Sequence, residues 1–279
     1  MRAARLFRLT SAGMIFLPAL ILARFSGAAA IKSIAVPAPS VKGSFMTTIV
    51  IPDSHAKSSK KYPVIYLLHG YGGDHNTWPQ IVPLGRSSDS LQVMFVCPDG
   101  KNCWYLDSPE GPSCRFETFF IKELLPFVDK NYRALPDMRG RAIVGFSMGG
   151  HGALTLLAKY PDKFLGACSI AGIMDLTEFP HEWELASVLG PCGRFRQRWL
   201  ECSAISQTAR FMGKSKTIIL DCGAKDFALN GNRKEHALLQ KAGVQHKYEE
   251  HPGSHDWRYV RQNAPEHVRF LAARLLPAR

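Results

Sequence analysis

A serine enclosed by glycines is the point in the chain where residue type and spacing first suggest chemistry. Gly145–Gly149 reads Gly-Phe-Ser-Met-Gly, follows a short apolar run at Ala142–Val144 and precedes helix-forming residues as far as Tyr160. In a G-x-S-x-G nucleophile elbow, the serine occupies a strained strand-to-helix turn, and the glycines prevent clashes between neighbouring backbones. The pattern therefore predicts a nucleophilic Ser147. The simpler interpretation is a glycine-rich turn that carries a surface serine.

A serine hydroxyl becomes a good nucleophile only when a base takes its proton, and the base needs a third group to orient it. His255 lies in a loop directly after the last predicted strand, and Asp226 follows the strand predicted at Thr217–Leu220. The order serine, acid, histidine is typical of hydrolases built on an elbow serine. We therefore predict Ser147, Asp226 and His255 as the catalytic residues.

Two residues are alternatives for the acid and the base. Asp221 ends its predicted strand, which leaves little chain to reach the histidine loop, and His251 directly precedes Pro252. His151 is expected to pack or cap, and His69 to shape its loop through backbone hydrogen bonds. The remaining histidines are expected in polar or surface-like settings: His55, His75, His181, His236, His246 and His267. No His, Asp or Glu cluster has convincing metal-ligand spacing, so we predict no metal site.

Acyl transfer also needs two donors aimed at the developing oxyanion. One is predicted to be the backbone N–H of Met148, the residue after the nucleophile. The other is predicted in the glycine-rich loop His69–Gly73, at the N–H of Tyr71. Glycine at this place lets the backbone approach a substrate closely.

The charge of the chain favours a basic surface rather than a nucleic-acid site. The 279 residues carry a formal net charge of +12. Four arginines and no acid fall within residues 1–30, so the remainder holds 31 basic and 23 acidic residues, a balance of +8. There is no long basic run and no zinc-finger or RNA-binding signature, so we predict no nucleic-acid partner.

The first thirty residues are typical of an export signal. Three arginines precede the apolar segment Leu9–Leu22, and Ala28–Ala30 offers a small-residue cleavage site. The apolar segment is short and contains Pro18, so we predict no stable membrane span in the mature protein. An uncleaved N-terminal anchor is the alternative, because Arg24 is unusual at its position. The expected location is the periplasm or the exterior, after cleavage near Ala30.

Export would expose the seven cysteines to an oxidising compartment. Their odd number leaves at least one thiol free or paired between chains. Cys103 with Cys114, and Cys192 with Cys202, are the pairs close enough in sequence to suggest disulfides. Three cysteines lie in apolar strand-like runs and are expected to be buried thiols: Cys97, Cys168 and Cys222.

Strand-like and helix-like stretches alternate along the rest of the chain. The predicted strands are Ser44–Ile51, Tyr62–Leu68, Val93–Val96, Ala142–Val144, Ala167–Ala171, Thr217–Leu220 and His246–Glu250. The predicted helices are Phe116–Tyr132, Gly152–Tyr160, Arg233–Ala242 and Trp257–Leu276. This alternation predicts an α/β protein with a mostly parallel sheet covered by helices on both faces. We predict one domain over residues 31–279, with a small cap inserted at about 173–213.

Several blocks in one order resemble a known family over about residues 40–275. They are Leu68–Gly70, Trp104-Tyr105 with Asp107, Glu117 with Glu123-Leu124, Gly145–Gly150, Gly223 with Asp226, and His255–Trp257. The chain resembles the esterase family that includes acetyl and tributyrin esterases, S-formylglutathione hydrolases, feruloyl esterases and mycolyltransferases of the antigen 85 type. The resemblance implies an α/β-hydrolase fold, no cofactor, a Ser147–Asp226–His255 triad and oxyanion donors at Met148 and Tyr71. Family members often carry leucine where this chain has Tyr71.

The resulting hypothesis is hydrolysis of carboxylic esters, with acetyl or feruloyl esters, including those of carbohydrates, as substrates. The candidate substrate-binding residues are aromatic: Trp104, Tyr105, Trp183, Phe195 and Trp199. Core packing explains each of these equally well. The alternatives are an acyltransferase that uses the same triad and a non-catalytic binding protein on a hydrolase scaffold; a peptidase is disfavoured. The sequence indicates no oligomeric state.

Overall fold

The computed structural model describes residues 28–278, so the predicted signal segment lies outside the described residues except for Ala28–Ala30. The strands are β1 (Ala30–Ala38), β2 (Gly43–Ile51), β3 (Val64–Leu68), β4 (Met94–Pro98), β5 (Arg141–Phe146), β6 (Gly166–Ile170), β7 (Thr217–Gly223) and β8 (Lys247–His251). The α-helices are α1 (Thr77–Ile81), α2 (Leu84–Leu91), α3 (Phe116–Thr118), α4 (Leu125–Asn131), α5 (Met148–Lys159), α6 (Leu185–Leu189), α7 (Cys192–Cys202), α8 (Leu229–Lys241) and α9 (Trp257–Ala272). Within residues 28–278, no helix is long and apolar enough to cross a bilayer.

The strands form one sheet in the order β1-β2-β4-β3-β5-β6-β7-β8. β1 with β2 and β2 with β4 pair antiparallel, and every other neighbouring pair is parallel. β3, β4, β5 and β6 are buried at every position, which is why they read as continuous apolar runs rather than as alternating patterns. The predicted mostly parallel α/β sheet is confirmed. β1, α1 and α2 were not predicted.

The long helix predicted at Phe116–Tyr132 is interrupted. It consists of α3, a π-helical turn at Phe119–Leu124, and α4. The neighbours Phe119 and Phe120 are both fully buried, and the first packs 4.5 Å from Phe45 while the second packs 6.0 Å from Phe164, measured between ring centroids. A π-turn widens the helix locally, which lets two successive side chains reach the core.

The segment 173–213 contributes helices and no strand. It contains α6, α7 and a 3-10 helix at Ala204–Phe211. The His151 Nε2–H on α5 donates to the carbonyl of Cys202 at 2.8 Å, and Thr208 hydrogen-bonds Glu235 on α8. These contacts attach the segment to α5 and α8.

One predicted disulfide is present and the other prediction is wrong. Cys103 and Cys114 form a disulfide with their Cα atoms 5.5 Å apart. Cys192 and Cys202 are both free thiols at opposite ends of α7. The helix is kinked at Phe195, but the two cysteines are still ten residues apart at its ends. At a rise of about 1.5 Å per helical residue, its ends lie beyond the reach of a disulfide. The other three thiols are buried as predicted: Cys97, Cys168 and Cys222.

Candidate active site

Ser147 lies at the turn from β5 into α5, in a backbone conformation that side-chain-bearing residues seldom adopt. Its φ is 56° and its ψ is −118°. A Cβ atom on Gly145 would collide with the carbonyl of Gly149, and one on Gly149 would collide with the carbonyl of Leu68. The Ser147 N–H donates to the Ile170 carbonyl on β6 at 2.9 Å. Neighbouring strands therefore hold the strained turn in place, as a nucleophile elbow requires.

The structure brings Ser147, His255 and Asp226 together in one hydrogen-bonded row. His255 Nε2 is 2.8 Å from Ser147 Oγ, and His255 Nδ1 is 2.9 Å from both carboxylate oxygens of Asp226. The Asp226 side chain is fully buried, whereas 16% of the His255 side chain is exposed. A carboxylate can only accept, so Nδ1 carries the proton and Nε2 is left to accept from the serine hydroxyl.

Two loops that leave the sheet side by side set the position of the histidine and the acid. The Ala224 N–H donates to the His251 carbonyl at 2.8 Å, and the Lys225 N–H donates to the Gly253 carbonyl at 2.9 Å. Gly253 has a φ of 151° and packs against the ring of Tyr259 on α9. Parallel pairing of β7 with β8 thus continues into the loops, and it delivers Asp226 and His255 to the same edge of the sheet.

Asp221, the alternative acid, is committed to a different network. It is fully buried within β7, accepts from His267 Nε2 at 2.6 Å and accepts from the Tyr259 hydroxyl. The expectation of a surface-like His267 is wrong, because only 1% of this residue is exposed. His151 is also buried, and burial lowers its pKa to about 4, so it stays neutral at pH 7.

The predicted oxyanion donors both lie next to the serine. A Cβ on Gly70 would be 3.4 Å from Ser147 Cβ, so the peptide that carries the Tyr71 N–H passes directly beside Ser147. Met148 is the first residue of α5, where an N–H has no partner within the helix.

His69 and Tyr105 hold the glycine-rich loop in this position. His69 Nδ1 donates to the Gly70 carbonyl and its Nε2 accepts from the Gly100 N–H, each at 2.8 Å. The Tyr105 hydroxyl donates to the His69 carbonyl at 2.8 Å. Burial raises the pKa of Tyr105 well above its usual value, so this hydroxyl remains a donor.

The row of three residues opens onto a cleft of about 240 Å³. The cleft is lined by Gly70, Tyr71, Phe146, Ser147, Trp183, Phe227, His255, Asp256 and Trp257. The Phe227 ring centroid is 4.3 Å from that of His255 and 5.7 Å from that of Trp183, with which it stacks. Phe227 was not predicted, although its place directly after Asp226 was a signal. Half of it is exposed, which is unusual for phenylalanine.

Of the predicted substrate-binding residues, only Trp183 lines the cleft. Trp104, Tyr105 and Trp199 are at most 1% exposed and belong to the core, and Phe195 does not line the cleft either. Trp199 donates its indole N–H to the Gly190 carbonyl at 2.9 Å inside the cap segment. Aromatic residue type alone does not distinguish a core residue from a substrate-binding residue, since core and cleft both favour large apolar rings. Across residues 28–278, no three His, Cys, Asp or Glu side chains converge as metal ligands.

Comparison with known proteins agrees with this architecture. A family model described as "Putative esterase" matches residues 39–271. An esterase of Mycobacterium tuberculosis is 31% identical over 262 residues, which cover 82% of this chain and 56% of that protein. An acetyl esterase of Caldicellulosiruptor saccharolyticus is 28% identical over 214 residues, which cover 72% of this chain and 80% of that protein.

A solved structure has a similar fold. The structure of a ferulic acid esterase is similar with a TM-score of 0.75 and 25% sequence identity, over 88% of this chain and 98% of that chain. The chain spans about half the length of the Mycobacterium esterase that it resembles. Because the family model covers most of the described residues and the fold is shared, the chain belongs to the esterase family of α/β-hydrolases.

Proposed function

We propose that this protein is a serine carboxylic ester hydrolase that works through an acyl-enzyme on Ser147. The observation that carries the proposal is the hydrogen-bonded row from Ser147 Oγ through His255 to the buried Asp226. His255 Nε2 takes the serine proton as Oγ attacks the ester carbonyl, and Asp226 stabilises the imidazolium that forms. The N–H groups of Tyr71 and Met148 hold the oxyanion.

His255 next acts as an acid, which completes acylation, and then again as a base in deacylation. The imidazolium of His255 gives its proton to the departing alcohol oxygen, which leaves an acyl group bonded to Ser147 Oγ. Water then enters, loses a proton to His255 Nε2 and attacks the acyl carbonyl. The tetrahedral intermediate expels Ser147, which takes the proton back as the carboxylic acid leaves.

We propose short-chain acyl or hydroxycinnamoyl esters, including those of glycans, as substrates. A cleft of about 240 Å³ favours a small acyl group, and the stacked rings of Trp183 and Phe227 favour a planar one. The names of the similar acetyl esterase and ferulic acid esterase support these two classes. Phe227→Ala should therefore lower kcat/KM for methyl ferulate more than for p-nitrophenyl acetate. An equal loss on both esters would assign Phe227 to His255 packing alone.

We also propose that residues 1–30 direct export and that residues 31–279 act as one domain with a cap at about 173–213. The Cys103–Cys114 disulfide supports an oxidising compartment. Proteomic detection of the mature N-terminus near Ala30 in a periplasmic or secreted fraction would test this. A chain that keeps residues 1–30 in the membrane fraction would indicate the anchor instead.

A panel of esters run with wild type and Ser147→Ala tests the proposed activity. The panel contains p-nitrophenyl acetate, butyrate and octanoate together with methyl ferulate. We expect turnover of at least one short or hydroxycinnamoyl ester, and a loss of about three orders of magnitude or more in Ser147→Ala. Adding an acceptor alcohol separates hydrolysis from acyl transfer, since a transferase diverts the acyl group into a new ester. If no ester is turned over and a fluorophosphonate forms no covalent adduct, the result would favour a binding protein.

A further inference from the structure

Two strained segments flank the loop that carries the proposed Tyr71 donor. We call residues 69–73 the glycine loop and residues 100–107 the cross-loop. The cross-loop holds Lys101, Trp104 and Tyr105 at φ values of 48°, 54° and 60°. The cap segment holds Trp183 and Glu184 at φ values of 49° and 54°. Left-handed backbone at residues with side chains costs free energy and gathers where a site needs a fixed geometry.

Asn102 links these segments through its side-chain amide. Its Oδ1 accepts from the Gly72 N–H in the glycine loop at 3.1 Å. Its Nδ2 donates to Glu184 Oε2 in the cap segment at 3.3 Å. Beside this bridge, the Trp104 indole N–H donates to the Trp183 carbonyl at 3.3 Å. Asn102 and Trp104 of the cross-loop are therefore bonded to two successive residues of the cap, Glu184 and Trp183.

The Glu184 carboxylate fixes which way the Asn102 amide faces. A carboxylate can only accept, so the amide nitrogen must point to Glu184 and the amide oxygen to Gly72. Glu184 also lies beside the Tyr71 side chain. Burial raises the pKa of the Tyr71 hydroxyl, and the negative charge and hydrogen bond of Glu184 raise it further.

We propose that Asn102, oriented by Glu184, is a positioning residue for the oxyanion donor at Tyr71. This proposal rests on the proposed esterase function. Gly72 has a φ of 73°, and a Cβ placed on it would meet no atom within 4 Å, so no neighbouring side chain packs against that side of the Tyr71–Gly72 peptide. The bond to Asn102 fixes the Tyr71–Gly72 peptide. The preceding peptide, which carries the Tyr71 N–H, is held through its Gly70 carbonyl by the Gly73 N–H at 3.0 Å and by His69 Nδ1 at 2.8 Å. The direction of the Tyr71 N–H therefore depends on both peptides, and Asn102 controls the second of them.

This arrangement predicts an effect on the transition state rather than on substrate binding. The oxyanion forms only after attack, so a displaced donor lowers kcat and leaves KM nearly unchanged. Removing an oxyanion donor outright costs about 10²–10³ in kcat. Misdirecting an oxyanion donor should cost less than removing it, and we expect kcat to fall roughly tenfold.

The test uses Asn102→Asp, Glu184→Gln and the double variant Asn102→Asp/Glu184→Gln. Asn102→Asp keeps an acceptor for the Gly72 N–H but sets two carboxylates against each other, so kcat should fall about tenfold with KM within about twofold. In the double variant the glutamine amide can donate to the new carboxylate, so most of the lost kcat should return. Glu182→Gln, an exposed acid two residues earlier, is the matched control and should resemble wild type.

A second readout separates positioning from general loosening of the fold. Affinity for a boronic acid that mimics the tetrahedral oxyanion should fall in Asn102→Asp in proportion to kcat, and it should recover in the double variant. Wild-type kcat in Asn102→Asp, or equal losses in the single and double variants, would overturn the proposal while leaving the esterase function intact. An inactive wild type would instead remove the proposed function itself.

Discussion

At the scale of single residues, the two ring nitrogens of His255 have different partners. Nδ1 faces the buried carboxylate of Asp226 and Nε2 faces Ser147 Oγ. The ring itself is packed by Phe146 and Phe227, whose centroids lie 4.8 Å and 4.3 Å from it. Hydrogen bonding fixes the tautomer of His255 and aromatic packing limits its rotation, so the proposed base is oriented before substrate arrives.

Replacing Asp226 by asparagine tests the role of the acid. The asparagine has nearly the same shape, but its amide N–H₂ can donate toward His255 Nδ1 and so favour the tautomer whose Nε2 carries the proton. We expect kcat to fall by about 10²–10⁴ while KM changes little. Ester assays at pH 7–8 measure this. Asp221→Asn is the comparison, and it should lower stability more than it lowers kcat.

The sequence predicts the residues of the row better than it predicts their surroundings. Ser147, Asp226 and His255 follow from a local motif and from chain order. The contacts of Asn102 join distant segments that no spacing reveals, and the only sequence signal for Phe227 is its place directly after Asp226. The expectation of a surface-like His267 is wrong although the sequence contains a signal that this residue is buried. It stands three residues after Ala264 and four before Leu271, both buried, which is the spacing of the inner face of α9.

At the scale of elements, apolar runs were enough to predict the buried strands. β3, β4, β5 and β6 were found because a strand buried on both faces must be apolar throughout. β1 was missed because its residues are mostly exposed along an edge of the sheet. The π-turn between α3 and α4 could not be predicted from helical periodicity, since it breaks that periodicity to bury two neighbouring phenylalanines.

The free energy of unfolding should depend on pH through Glu235, whose carboxyl joins α8 to the cap segment. This carboxyl is fully buried beside the Thr208 hydroxyl, and burial raises its pKa to about 7. Its ordinary pKa is 4.5, which we take for the unfolded chain. Between these values the folded state binds more protons, so the free energy of unfolding falls as pH rises through this window. The loss amounts to about 3 kcal/mol by pH 8.

Glu235→Gln should remove this part of the pH dependence, because a glutamine oxygen still accepts from Thr208 and carries no charge. The measurement is urea unfolding of both proteins between pH 4.5 and 8. The variant should gain stability relative to wild type as pH rises. A constant difference between the two proteins over this range would show that Glu235 does not titrate within it.

At the scale of the whole molecule, one disulfide supports the part of the fold that carries the proposed donors. Cys103 and Cys114 close a loop that contains Tyr105, whose hydroxyl holds the His69 carbonyl behind the glycine loop. The covalent link therefore limits the freedom of a segment that also contains strained backbone. Stability and activity should consequently be coupled through this loop.

The double variant Cys103→Ser/Cys114→Ser tests this coupling. Closing a loop of 11 residues in the unfolded chain contributes about 2–3 kcal/mol, and we expect that loss in chemical unfolding. kcat should fall as well, because Tyr105 is less firmly held. Cys192→Ser, which removes a free thiol in the cap segment, is the control and should leave both quantities unchanged. Full activity together with unchanged stability would argue against any supporting role of the disulfide.

The central claim is that Ser147 is the nucleophile and His255 its base. The most direct measurement is mass spectrometry with peptide mapping after reaction with a fluorophosphonate, which labels activated serines. We expect one adduct per chain, located on Ser147, absent from Ser147→Ala and formed far more slowly in His255→Gln. An adduct on another residue, or ester hydrolysis that persists at the wild-type rate in Ser147→Ala, would contradict it.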